Sequence, residues 1–371
     1  MRLLKADEGV QDDTPAAASR LRKLRPGLII ARILLGVGLI TYLALSGAIN
    51  WSRLLGLATA WYHTAAAFLL LFLVVLLCSW RLCILLAGQG LALSIPASLR
   101  LSLIGGLFNN VLPGSSGGDV VRLYLAARPH AGRRAEIATT LVTDRVIGLL
   151  ALLIAPLLIA ALPGTQVRGS TALNGLVLVA ALGSIALMAG MALSGLPDSR
   201  FRRLAIALSG RVRLGEPVRR VFDAAASQAR NRSVLVRAFA ISVLVQALVI
   251  GSIQFILLAN GTPNPSWQAA LLTPFGMLAN ALPLTPGGLG VGEAAFDALF
   301  RYTGTAGGAE AILSWRLLTT LIDLGGGAIL LAGRTDVKMI WNQAASAADA
   351  TAQRATHAVE RHAEEGGRDV G

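Results

Sequence analysis

The chain has 371 residues, 54% of them hydrophobic and 14% charged, with a mean hydropathy of +0.64. Soluble domains carry about a quarter of their residues charged, and here the apolar residues gather in long runs, so a soluble enzyme is excluded. The net charge is +13, yet only Lys5, Lys23 and Lys338 are lysine. No aromatic RNA-binding strand, zinc spacing or basic zipper accompanies it, so nucleic acid is not the partner. Arginines between apolar runs fit the enrichment of cytoplasmic loops in basic residues.

Residues 1–27 form a polar tail that is basic near the membrane, with Arg20, Arg22, Lys23 and Arg25 just before the first apolar run. That run, 28–48, exceeds the roughly 7–15 residues of a signal-peptide core, so it reads as an uncleaved first span that starts in the cytoplasm. A helix needs about 20 apolar residues to cross a hydrocarbon core of ~30 Å. After a short outer segment, 49–60, a second helix over 61–87 returns. Residues 99–113 are apolar but too short to span, and they run into Pro113 and a Gly-Ser-Ser-Gly-Gly stretch ending at Gly118. Proline removes a backbone donor and clustered glycine disfavours helix, so the segment breaks there. A basic stretch with Arg122, Arg128, Arg133 and Arg134 follows, then a helix over 138–162.

The second half repeats the plan. A helix over 172–194 leads to 195–237, where ten arginines face Asp198, Glu216 and Asp223, a local charge of +7. A helix over 238–259 follows, then a second broken stretch from 269 through Pro283 to Glu293, a last helix over 310–332, and a polar, alanine-rich tail over 334–371. If the broken stretches are re-entrant, the basic segments 1–27, 113–137, 195–237 and 334–371 all lie on the cytoplasmic side, as the charge rule prefers.

The two breaks match residue by residue. Asn-Val-Leu-Pro-Gly-Ser-Ser-Gly-Gly over 110–118 and Asn-Ala-Leu-Pro-Leu-Thr-Pro-Gly-Gly over 280–288 share Asn-x-Leu-Pro-x-x-x-Gly-Gly at an offset of 170. Each is followed by an acid, Asp119 or Glu293, and by a helix bearing an arginine, Arg145 or Arg316. The expected fold is therefore all-α: a polytopic membrane helix bundle of two inverted repeats, 28–162 and 163–333. Each repeat holds three spans and one re-entrant broken helix, turned at Pro113, Gly117 and Gly118 or at Pro283, Gly287 and Gly288. Inverted repeats with interrupted helices near the midplane are a transporter architecture. Broken backbone cannot face lipid, so it must line a cavity or pack within protein.

Charge inside a span costs about 2.5–3.5 kcal/mol per residue, so each intramembrane charge is a candidate for function. Arg316, Thr320 and Asp323 share one face of the last helix. Asp144 and Arg145 open the helix expected at 138. Asp119 with Arg122 and Asp297 with Arg301 are spaced for local pairs. The functional reading gives Arg122, Arg145 and Arg316 an anionic headgroup, for which guanidinium forks are shaped. Asn109, Asn110 and Asn280 add amide bonds, and Asp119, Glu293 and Asp323 balance the arginines or take an ammonium. The structural alternative is paired charge pinning the hairpins, or side chains snorkelling to water; it weighs most for Arg122 and Asp144. Cys78 and Cys83 lie in one apolar run and read as buried hydrophobes. No motif for a phosphate-binding loop, a metal site or a nucleophile–base pair is present, so neither a cofactor nor catalysis is expected.

The sequence Asn-Asn-Val-Leu-Pro-Gly-Ser-Ser-Gly-Gly-Asp-Val-Val-Arg over 109–122, and Leu-Pro-Leu-Thr-Pro-Gly-Gly-Leu-Gly-Val-Gly-Glu over 282–293 with Arg316 downstream, resemble the transmembrane region of lysylphosphatidylglycerol synthases. The likeness covers roughly 28–333. In the full synthases this region is associated with moving the aminoacylated lipid between leaflets, while a soluble C-terminal domain makes it. The 38-residue tail here leaves the expectation of translocation without synthesis. The resemblance implies a flippase or scramblase-like transporter of a bacterial inner membrane, handling an anionic, aminoacylated or isoprenoid-linked lipid, with a lipid-synthesis enzyme as expected partner. The rival reading is a non-transporting membrane subunit that docks such an enzyme through 195–237. A lipid-modifying enzyme using Asp119 or Glu293 ranks third.

Overall fold

The computed structural model describes residues 41–42, 45, 51–111, 117–127, 132–165, 170–194, 227–262, 266–282, 285 and 288–332. Among them every regular element is helical: α1 Trp51–Thr59, α2 Trp61–Ala87, α3 Ile95–Val111, α4 Gly117–Ala127, α5 Arg134–Ala160, α6 Thr171–Ser194, α7 Arg232–Ala259, α8 Trp267–Asn280, α9 Val291–Tyr302 and α10 Gly308–Ala332. Five of these, α2, α5, α6, α7 and α10, are long and apolar enough to cross a membrane. Both tails, most of the expected first span, and 195–226 of the basic segment lie outside the described residues.

Several boundaries differ from the sequence reading. The expected outer segment 49–60 contains α1, which Thr64 ties to α2 by donating to the Leu57 carbonyl at 2.8 Å. α5 begins at Arg134 and α7 at Arg232, each several residues early. Arginine is a good helix former and carries its charge to water on a long stem, so a basic flank extends a span rather than ending it. Asp144 and Arg145 therefore lie about three turns inside α5 instead of opening it.

The short helices build two hairpins. At about 1.5 Å per residue, α3, α4, α8 and α9 reach only about 16–26 Å, short of a ~30 Å hydrocarbon core. α3 and α4 begin and finish at one end of the bundle, where Arg133, just before α5, donates to the Gln89 carbonyl at 2.8 Å just after α2. Gln89 there also donates to Gln228, ahead of α7, at 2.5 Å. α8 and α9 begin and finish at the other end. Ser266, before α8, meets Thr305, before α10, at 3.2 Å, and Asn260 donates to Ser314 at 3.2 Å. The Ser266 hydroxyl also caps α8 by accepting from the Ala269 N–H at 3.2 Å.

Packing between the hairpins and the spans is crossed. α3 lies along α10, and α8 lies along α5. Glycine sets the first of these contacts. A Cβ on Gly326 of α10 would overlap the Leu103 carbonyl, and one on Gly106 of α3 would overlap the Asp323 carboxylate. Close helix approach through small residues replaces the hydrophobic drive that lipid cannot supply. The largest apolar core joins Leu71, Ile253, Ile256, Leu272, Phe296 and Phe300, so the second hairpin is embedded in it. The first hairpin meets a smaller cluster of Ile104, Phe108 and Val121. Leu178, Val179, Leu182 and Ile185 of α6 face outward, as a lipid-facing helix requires.

Candidate functional site

The first hairpin presents two arginines to one carboxylate. Asn109, near the end of α3, accepts the Gly118 N–H at 2.8 Å through its Oδ1. This satisfies one of the four amides that open α4. Gly118 is bare of Cβ because the Gly105 carbonyl lies against it. Asp119 stands in the first turn of α4. Its Oδ1 accepts from Nη2 of Arg145 at 2.6 Å and lies 3.5 Å from Nη1 of Arg122. Arg122 lays its stem over Gly105 and donates to the Ser102 carbonyl at 3.2 Å. Its Nε is buried with no hydrogen-bond partner. The Arg145 side chain is 55% exposed although it lies inside a span-length helix, and Asp119 is 29% exposed. The trio carries a net charge of +1.

The second hairpin closes its charges inward. Nη2 of Arg316, on α10, donates to Asn280 Oδ1 at 2.9 Å and lies 3.2 Å from Glu293 Oε1. Oε2 of Glu293 accepts the Gly290 N–H at 2.6 Å, so one carboxylate both caps α9 and neutralises the arginine. Glu293 is 0% exposed. Gly288, at φ +73°, and Gly292 lie against Asn280, where any Cβ would collide with its backbone or amide. The net charge of this pair is zero. In both halves, then, the arginine of the long helix after a hairpin pairs with the acid in the first turn of that hairpin's second helix.

A third ion pair escaped the sequence reading. Arg81, in α2, makes a two-pronged contact with Asp144 of α5, Nε to Oδ1 at 2.6 Å and Nη2 to Oδ2 at 2.9 Å. Its Nη1 donates to Ser242 of α7 at 2.7 Å, so one guanidinium ties three spans. The signal was available: Arg81 is the one charge in the run 66–87. Asp323 is half-buried over Gly106, on the hairpin of the other half. Asp119 with Arg122 and Asp297 with Arg301, at 2.9 Å, form the local pairs their spacing predicts. The side chain of Asn110, and Pro113, Pro283 and Gly287, lie outside the described residues; Gly117 opens α4. No group of three or more metal-ligating side chains occurs among the described residues.

Span-length helices, buried ion pairs and an outward apolar face define a multi-pass helical membrane protein. The family described as the lysylphosphatidylglycerol synthase TM region matches residues 29–327, and the chain belongs to it. A UPF0104 membrane protein of Methanothermobacter thermautotrophicus is 29% identical over 275 residues, which cover 69% of this chain and 78% of that protein. No solved structure matches.

Proposed function

We propose that the chain moves a lipid headgroup between the leaflets of the cell's inner membrane, as a flippase or scramblase-like transporter rather than an enzyme. In this reading 28–162 and 163–333 are inverted repeats, the hairpins re-enter from opposite faces, and both termini are cytoplasmic. The headgroup passes beside the hairpin tips while its acyl chains stay in the bilayer. Asn109, Asn110, Asp119, Arg122, Arg145, Asn280, Glu293, Arg316 and Asp323 belong to or support this path.

The observation that carries the reading is Arg145. Its side chain is 55% exposed some three helical turns from the nearer end of α5. An arginine at that depth is costly in hydrocarbon, so an aqueous crevice or a polar ligand must meet it there. The family description, the transmembrane region of a lipid synthase, fits a lipid as the molecule handled. The test is reconstitution of the purified full chain in liposomes that carry a fluorescent reporter lipid, with a membrane-impermeant quencher outside. Transport exposes inner-leaflet reporter to the quencher. Rates equal to protein-free vesicles across anionic, aminoacylated and isoprenoid-linked reporters would end the reading.

A further inference from the structure

One side of α10 is bare. Leu317, Leu321 and Leu324 are each about half exposed, Gly325 and Ala328 are exposed too, and the five share one helical face. Counting back 171 residues, the offset between Arg316 and Arg145, gives Val146, Leu150, Leu153, Ile154 and Leu157 of α5. Every one of these is buried or half-buried. Part of that cover is α6, which packs along α5 rather than along its successor α7. At the contact, a Cβ on Gly183 of α6 would come within 3.1 Å of Leu153 Cδ1. Leu324 is the counterpart of Leu153, and no described helix covers it.

We propose that the apolar run 28–48 packs on this face of α10 as α6 packs on α5, with Gly36 against Leu324. The inference rests on the inverted-repeat part of the proposed function and needs no transport. The run ends beside the face. Only Ile49 and Asn50 separate residue 48 from α1, a reach of about 11 Å, and Leu54 of α1 packs on Ala309 at the start of α10. Of the run itself Thr41, Tyr42 and Leu45 are described, and all three are helical and exposed. They share one side of a helix, so the opposite side, with Gly36, Ile40, Leu43 and Gly47, is the one left to pack. Small residues there permit the close approach that holds helices together in lipid. Gly36 lies eight residues after the run's start at 28, and Leu324 eight before the end of α10 at Ala332, so the two share a depth. In that antiparallel register Leu43 meets Leu317, and residue 48 reaches the level of Ile312, one turn from Ala309. The packing covers Leu317, the neighbour of Arg316, and closes the second charge pair to lipid on that side.

Cysteine cross-linking of the full chain in membranes, with Cys78 and Cys83 replaced by serine, tests this. Gly36→Cys with Leu324→Cys should bridge within one chain, read as the linked peptide pair by mass spectrometry. Its yield should be about tenfold or more that of Gly36→Cys with Leu73→Cys, because bridged Cα atoms must lie within about 7 Å. Leu73, on the exposed side of α2, stands for the commoner arrangement in which consecutive helices are neighbours. Leu43→Cys with Leu317→Cys repeats the test two turns along without altering a glycine, so a misfolded Gly36→Cys still leaves a decision. Preferential bridging to Leu73 would overturn the proposal, as would failure of both α10 pairs. A bridged dimer in place of the internal link would give the face to a second copy of the chain and overturn it equally. The lipid assay keeps the two readings apart. Bridging to α10 in a protein that moves no lipid sinks transport and leaves the packing, whereas bridging to α2 in one that moves lipid does the reverse.

Discussion

Arg81→Leu should be among the most damaging single changes in the described bundle. The Arg81 side chain is 8% exposed and that of Asp144 13%. Two short bonds join them, and Ser242 accepts a third from the same guanidinium. Removing one partner of a buried pair leaves an uncompensated charge and costs about 3–5 kcal/mol. Replacing both partners by apolar side chains is often nearly neutral, so Arg81→Leu with Asp144→Leu should recover most of the loss. Arg145→Leu supplies the contrast. With a 55% exposed side chain and a single partner, it should cost no more than about 1 kcal/mol. The assay is the apparent thermal midpoint in one detergent, read by loss of the monodisperse peak on size exclusion. Equal destabilisation by Arg81→Leu and Arg145→Leu, or a double variant as weak as Arg81→Leu alone, would refute the assignment of a structural role to Arg81 and an open role to Arg145.

Neighbouring glycines of α10 should behave oppositely in the same assay. Gly326→Ala drives a methyl into the Leu103 carbonyl and should lose about 1–3 kcal/mol, whereas Gly325→Ala meets nothing within 4 Å and should gain about 0.5–1 kcal/mol. Gly288→Ala should cost at least about 1–2 kcal/mol from its left-handed backbone alone, before the clash with Asn280 is counted; a neutral result would remove the tight turn. Sidedness follows from the hairpin contacts: with Cys78 and Cys83 replaced by serine, Ser94→Cys and Gly132→Cys should react with an impermeant thiol reagent from one face of vesicles, and Leu162→Cys and Ala306→Cys from the other. Reaction of Ser94→Cys and Gly132→Cys from opposite faces would make α3 and α4 a crossing segment.

Spans were the most legible feature because their signal is length and apolarity, which depend on no partner. The helices expected over 61–87 and 172–194 match α2 and α6 to within a residue. Ends were less legible wherever arginine flanked a run. Arg134 and Arg232 read as loop by charge and fold as helix, since the charge needs only to reach water. The motif at 109–122 located the first hairpin and its acid, but what Asp119 pairs with is decided in three dimensions. Its neighbour Arg122 lies at 3.5 Å, and Arg145, 26 residues on, lies at 2.6 Å. Spacing alone gave the structural alternative most weight at Arg122 and Asp144. Burial, which no spacing reports, leaves Glu293 with no exposed surface and Asp119 and Arg145 partly open. Arg81 was missed because its partners, Asp144 and Ser242, lie 63 and 161 residues away.

The crossed packing explains why such hairpins persist in a medium hostile to open backbone. Helix ends within a membrane carry amides and carbonyls that lipid cannot satisfy, and local residues meet only part of that need: Asn109 takes one N–H of α4, and Glu293 takes one before α9. What remains must be shielded by protein, and each hairpin draws that shield from the far half, α3 from α10 and α8 from α5. The helix that carries Arg145 therefore serves two clusters at once. It pairs with the first hairpin and forms a wall for the second, and α10 does the converse through Arg316 and Gly326. Movement of either long helix must then disturb both hairpins.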